Sequence, residues 1–376
     1  MSATCEEAAE QVTRNLGFDC HDVSTIVSVR NPFDLAHWTM PILEVAIIAG
    51  AVFALVHAVR RFRAGDPINL ALWFASLVYL FVTEPPLYFP EWFGLDQQYG
   101  FIFAHNVFTV QFMWDRLPLY IVAFYPAISA LAYEIIRVLG IFKHRGALVG
   151  AVAVAFVCQV FYEIFDMVGP QLKWWAWYDG NDKVNHPALA AVPMNSMLLF
   201  ASVSMGALAY LVVKIAGSRS ADGEPRRGWS LSWRVAVAGV LTPVAMGVFG
   251  IPSGLFGGDD PNLTAQAWVL GVELALVWLA GAWILVTHVA RRADYDLDPM
   301  TPFARIYPVL YLAAMSVAWV GALPAFLDAE DGITSDGTPI GSGWYTIACY
   351  LGAAAILAAL HTGRRRVAVP DPVRTG

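Results

Sequence analysis

"ALVGAVAVAFVCQVFYEIFDMV", residues 147 to 168, is an apolar run of the length that crosses a bilayer, yet it closes on two carboxylates, Glu163 and Asp166. A helix needs roughly twenty residues to cross about 30 Å of hydrocarbon at about 1.5 Å per residue. Eight further runs resemble it: 40–59, 68–89, 117–142, 197–217, 235–256, 268–290, 302–327 and 344–360. With 58% hydrophobic and only 14% charged residues among 376, the chain falls outside the range of ordinary water-soluble domains. The expected fold class is all-α: a polytopic transmembrane bundle of eight or nine spans, with nine preferred.

Basic residues predict its orientation, because Lys and Arg in short loops stay on the cytoplasmic side. One set of loops holds Arg60, Arg61 and Arg63, then Lys143 and Arg145, Arg219 with Arg226 and Arg227, Arg291 with Arg292, and four arginines of the C-terminal tail. The opposite set holds Arg14, Arg30, Arg116, Lys173 and Lys183. The N-terminus is therefore expected outside and the C-terminus inside. This divides the chain into an exterior arm (1–39), a helical domain (40–363) with an exterior interfacial or re-entrant segment at 90–117, and a basic cytoplasmic tail (364–376). The bias toward Arg and Ala points to a bacterial plasma membrane. A formal charge of -7 argues against nucleic-acid binding.

The first forty residues lack a basic start followed by an apolar stretch, so the first span is expected to act as its own insertion signal. Cys5 and Cys20, both in the arm, are open to a disulfide or to two free thiols; Cys158 and Cys349 read as small apolar core residues. His57, His288 and His361, each followed by arginines three and four residues later, read as interfacial anchors at helix ends. Close His pairs, a phosphate loop, a dinucleotide fingerprint and a DDxxD-like cluster are all missing from the sequence, so no metal and no cofactor is expected.

The carboxylates carry the functional reading. Glu163 and Asp166 lie about 24 and 28 Å up their helix, near its outer end, where Glu44, Glu84 and Glu273 also fall on other spans. Glu134, at the opposite end, is three residues from Arg137 and reads as a local ion pair. Gln159, Tyr162, Glu163 and Asp166 follow i, i+3, i+4, i+7 spacing and share a helix face, which lipid cannot satisfy. The structural alternative is that these groups join helices to one another. Exterior segments add His105, Asn106, Asp115 and Arg116, with Arg116 the nearest counterion, then Trp174, Trp175, His186 and Asn195. Acids, imidazoles, amides and aromatic rings at one level are the minimum for acid/base work on an apolar substrate.

The order "TEPPLY", "FAHN", "VFYEIF", "WWAW", "VPMNS" over residues 67–260 resembles the AveC-like spirocyclase family of actinobacterial multi-pass membrane proteins. It is more loosely similar to integral-membrane carotenoid hydratases. The chain departs from the family pattern in the double proline after Glu84, the additional Asp166 and its two ends. The resemblance implies cyclisation, dehydration or hydration of a lipophilic polyketide or isoprenoid through a cation. In that reading Glu163 is the acid, Asp166 or Glu84 its partner and His105 a proton relay, and Asn106, Tyr162, Gln159, Arg116, Trp174, Trp175, His186 and Asn195 bind substrate. Two other readings stay open: a proton-coupled transporter or lipid-handling permease, with Pro243, Gly247, Gly250 and Pro252 letting the sixth span bend, and a non-catalytic subunit of an envelope-lipid assembly. The partners expected in each case are membrane lipids and a lipophilic small molecule.

Overall fold

The computed structural model describes residues 5–31, 33–218, 223–291, 295 and 297–362; the expected basic tail lies outside them. Among the described residues nine helices are long and apolar enough to cross a membrane. They are α2 (Met40–Arg63), α3 (Ile68–Tyr88), α5 (Leu119–Val138), α6 (Ile141–Asp166), α7 (Ser196–Ala216), α8 (Gly228–Gly254), α9 (Leu263–Ala290), α10 (Pro302–Leu327) and α11 (Gly343–His361). Two short helices, α1 (Glu7–Leu16) and α4 (Asp96–Tyr99), belong to the loops at one end. The all-helical bundle and the count of nine agree with the apolar pattern. Boundaries differ where helix continues past the apolar run: α8 starts at Gly228 rather than near 235, because Trp229, Ser230, Ser232, Trp233 and Arg234 stay helical while facing outward. In α6 the backbone breaks at Gly146, φ 84° and ψ 175°, so the continuous helix starts at Ala147.

Two helices form the centre. Of the apolar windows of α5 and α6, 89% and 78% are buried, against 22–28% for α8 to α11, which places the first pair inside and the second group at the rim. α5 packs on α2, α3, α6 and α10, while α6 packs on α5, α7, α9 and α11. Close approach uses small residues; a Cβ at Gly281 of α9 would stand 2.1 Å from the Phe156 side chain of α6. The rim presents Leu279, Trp283, Leu310, Val320 and Leu351 outward, surface that water would penalise and lipid would not.

The two ends differ in chemistry. At the arginine-rich end Glu134 is fully buried and holds its neighbours together. Its oxygens accept from Arg137 Nη2 (2.7 Å) and Nε (2.8 Å), Asn69 Nδ2 (3.0 Å) and Thr301 Oγ1 (2.8 Å), and His57 Nε2 lies 3.0 Å away. Arg137 also donates to Asp298 at 2.9 Å. The local ion pair is therefore one part of a cluster that ties α2, α3 and α5 to the start of α10. This corrects the reading of His57 as an interfacial anchor, and that of His288 as well. His288 is buried and its Nε2 donates to the Leu139 carbonyl at 2.8 Å, because neighbouring helix ends cover both rings. His361 is exposed, as an anchor would be.

At the other end, residues 89–118 do not form a re-entrant helix. They carry β2 (Phe103–His105), β3 (Val110–Phe112) and β4 (Leu117–Pro118). β2 pairs antiparallel with β5 (Trp175–Trp177), and β3 pairs with both β4 and β1 (Val27–Val29) of the arm. β6 (Ala188–Leu189) and β7 (Val192–Pro193) form a third small pair. Strands of two or three residues are too short to show a period of two, which is why a purely helical reading missed them. A Cys5–Cys20 disulfide closes the loop that contains α1, and α1 packs on β2 and β5. Cys158 and Cys349 are free and buried.

Removing one member of a buried, fully paired charge cluster strands the others without water. Glu134→Ala should therefore destabilise the bundle by about 3–5 kcal/mol, measured by thermal unfolding in detergent. The half-buried Arg61–Asp66 pair is the control, since Arg61→Ala should cost no more than about 1 kcal/mol. Equal shifts for both variants would show that the Glu134 cluster contributes nothing special.

Candidate functional site

The end of α6 sets the geometry. After Asp166 the chain turns through Gly169 and Pro170, and at Gly169 a Cβ would lie 2.0 Å from the Trp175 ring. Only a residue without a side chain lets Trp175 fold back over the helix end. From there β5 runs antiparallel to β2, with His105 opposite Trp175 and Phe103 opposite Trp177. The loop 181–195 completes the cover. Asn185 Nδ2 donates to the Ile102 and Tyr178 carbonyls, both at 2.8 Å, and Asn195 Nδ2 reaches the Val184 carbonyl at 3.5 Å.

Beneath this cover is a cavity of about 110 Å³. α3 supplies Glu84 and Leu87, α5 Ile121, Phe124 and Tyr125, α6 Tyr162, Phe165 and Asp166, and α7 Ser196 and Phe200. Phe103, His105, Trp175, Trp177, Asn185 and Asn195 line it from the cover. The two carboxyl groups differ in their surroundings. Glu84 accepts a hydrogen bond from the Tyr125 hydroxyl and has Tyr88 as a second hydroxyl partner. Asp166 has one long contact, from Ser196 Oγ at 3.4 Å. The Tyr88 hydroxyl is also 3.5 Å from His105 Nδ1. Burial of the imidazole pushes the pKa of His105 down to about 3. The ring is therefore neutral at physiological pH and carries one N–H and one acceptor nitrogen.

Six residues singled out in the sequence thus meet at one cavity: Glu84, His105, Tyr162, Asp166, Trp175 and Asn195. The other six are placed elsewhere. Glu163 is fully buried on a different side of α6, where Gln159 Nε2 donates to its Oε1 at 3.1 Å and to the Tyr345 hydroxyl at 3.1 Å. Glu163 and Asp166 are three residues apart, about 60° around the helix, enough for α6 to send them to different neighbours. Asn106 donates to the Leu16 carbonyl at 2.9 Å and so fastens the arm. Trp174 is buried with its indole N–H on Thr39 Oγ1 at 3.0 Å. His186 donates to the Asp179 carbonyl at 3.0 Å.

Arg116 lies with its guanidinium 5.3 Å from the Phe101 ring centroid, and burial lowers its pKa from the ordinary value. It is not the counterion of the cavity acids: among the described residues no Lys or Arg lines the cavity. Of the remaining acids, Glu44 accepts from the backbone N–H groups of Phe108 (2.5 Å) and Thr109 (3.2 Å), which pins the loop behind His105. Glu273 does not line the cavity. Sequence reasoning missed Tyr125, Tyr88, Asn185, Ser196 and most of the rings. Tyr88 was within reach, because it lies four residues after Glu84 on the same helix face; Tyr125 and Asn185 carried no such signal.

His105 sets the acid sensitivity of the cover. Its folded pKa lies below the unfolded value of about 6.5, so below that pH the unfolded state binds the extra proton and stability falls, by up to about 1.4 kcal/mol per pH unit, toward pH 3. Wild-type protein should lose thermal stability between pH 7 and pH 5 more steeply than His105→Phe; parallel slopes would mean that the ring already titrates normally in the folded protein. No family model, curated protein or solved structure matches the chain.

Proposed function

We propose that the chain is a multi-pass protein of a bacterial plasma membrane, with the arm end outside and the arginine-rich end in the cytoplasm. In this reading its cavity performs acid/base chemistry on a lipophilic small molecule. One observation carries the proposal: two carboxyls and a neutral imidazole line a cavity whose other walls are mostly rings and aliphatic groups. Buried acids are costly in such surroundings and are kept where they work.

The hydrogen bonds suggest the division of labour. Glu84 already accepts from hydroxyl donors, which suits a carboxylate base; Asp166, with a single long contact, is the better proton donor. Asp166 protonates a substrate hydroxyl, which leaves as water. Glu84 takes the proton released by the attacking hydroxyl or by the carbon next to the cation. His105, in contact with Tyr88, returns that proton by exchanging tautomers. One proton is given and one recovered, so the net change is loss of one water; run backwards, the cycle hydrates an alkene. The reaction class is the one that the AveC-like resemblance implies for a polyketide or isoprenoid, but the acid role passes from Glu163, which the resemblance implies, to Asp166, with Glu84 as the base.

The test is untargeted mass spectrometry of the native host, comparing a deletion strain with strains restored by wild type, Asp166→Asn or Glu163→Gln. The expected result is a precursor that differs from the missing product by one water. Wild type and Glu163→Gln should restore the product, while Asp166→Asn should lower its formation by about 10²- to 10⁴-fold. An unchanged inventory with an altered distribution between cell and medium would replace catalysis by transport.

A further inference from the structure

We infer that the cavity is selective for a positively charged group of about five heavy atoms, an organic ammonium or a carbon cation of the same size. The inference deepens the acid/base reading and rests on it for the cavity being the working site. Size comes first. A dry cavity of about 150 Å³ takes benzene, with six heavy atoms, so about 110 Å³ takes a group slightly smaller.

Charge follows from the walls. Eight of the nineteen lining residues carry benzene or indole rings, two carry carboxyls, and none is Lys or Arg. The rings form a continuous array: Trp177 meets Trp175 at 5.7 Å between centroids, Trp175 meets Phe165 at 4.5 Å, Phe165 meets Phe124 at 4.7 Å and Phe124 meets Tyr162 at 4.8 Å. Aromatic faces are electronegative and attract cations most strongly where water is excluded. A neutral apolar guest would profit from the rings but would gain nothing from Glu84 and Asp166. A cation gains from the rings and from the Glu84 carboxylate, and an anion is opposed by that carboxylate; Asp166, the proton donor, adds its charge only after it has given its proton up.

The experiment compares choline, whose quaternary nitrogen and four attached carbons are the five heavy atoms that enter the cavity, with 3,3-dimethylbutan-1-ol, which has the same shape with carbon in place of the charged nitrogen. Binding to the full-length protein in detergent is read by calorimetry. Choline should bind at least about tenfold more tightly than the alcohol. Glu84→Gln should weaken choline by about tenfold, and Trp177→Leu by about threefold, with the alcohol changed less than about twofold. Trp177 is only half-buried, and an unchanged melting temperature verifies that each variant is folded. Should Glu84→Gln fail to fold, Trp177→Leu carries the test by itself.

Equal affinity for the two probes, or choline binding that survives both variants, would overturn the inference. Selective choline binding in a protein whose deletion leaves the chemical inventory unchanged would keep the cation site and remove the catalytic reading. Loss of a product with no preference for choline would do the reverse. In the deletion strain, an accumulated ammonium compound would identify the substrate as the cation, and a neutral precursor would mean that the cation arises during reaction; either accompanies selective choline binding.

Discussion

The polar side chains of α6 can find partners only inside the bundle, and the rest of the structure is arranged around that constraint. An apolar solvent offers Gln159, Tyr162, Glu163 and Asp166 nothing, so the helix that bears them is buried and five others pack against it. They divide by direction. Gln159 and Glu163 face α11, where the Tyr345 hydroxyl also takes the Trp278 indole N–H at 2.9 Å. Tyr162 and Asp166 face the space between α3, α5 and α7. Even the carbonyls of α6 are drawn in, accepting from Tyr311 at Phe161 and from Trp319 at Ile164.

Hydrogen-bond satisfaction separates structure from function at the two ends of the bundle. Glu134 has a guanidinium, an amide, a hydroxyl and an imidazole around it, so every strong interaction it can make is already made. Such a carboxylate holds helices in register and has little left to offer a ligand. Glu84 and Asp166 are provided for more sparingly, and they border space rather than side chains. Groups left short of partners in a concave place are the ones available for chemistry.

The cover over that space is built from pieces far apart in the chain. β2 and β5 bring residues 103–105 beside 175–177, α1 lies behind them, and Asn106, Asn185 and Glu44 fasten the loops. A lone imidazole among such pieces is desolvated on all sides, so His105 is neutral and suited to tautomer exchange rather than to storing charge.

Hydrophobic run length by itself determined nine helices and most of their limits, because crossing hydrocarbon demands a fixed length of apolar chain. Periodicity of 3.6 placed Tyr162 and Asp166 on one side of α6, and their cost in lipid marked them as residues with a purpose. Tertiary structure decided which acid meets the cavity. Glu163 and Asp166 share a broad helix face, and only the positions of α7 and α11 send one to the cavity and the other to Tyr345. It also decided the partners: Glu84, Tyr125 and His105 come from three separate segments, and Arg116 is close in sequence to His105 yet lies over Phe101. Local pattern records which residues are on one face of one helix; convergence between helices depends on packing that no single segment encodes.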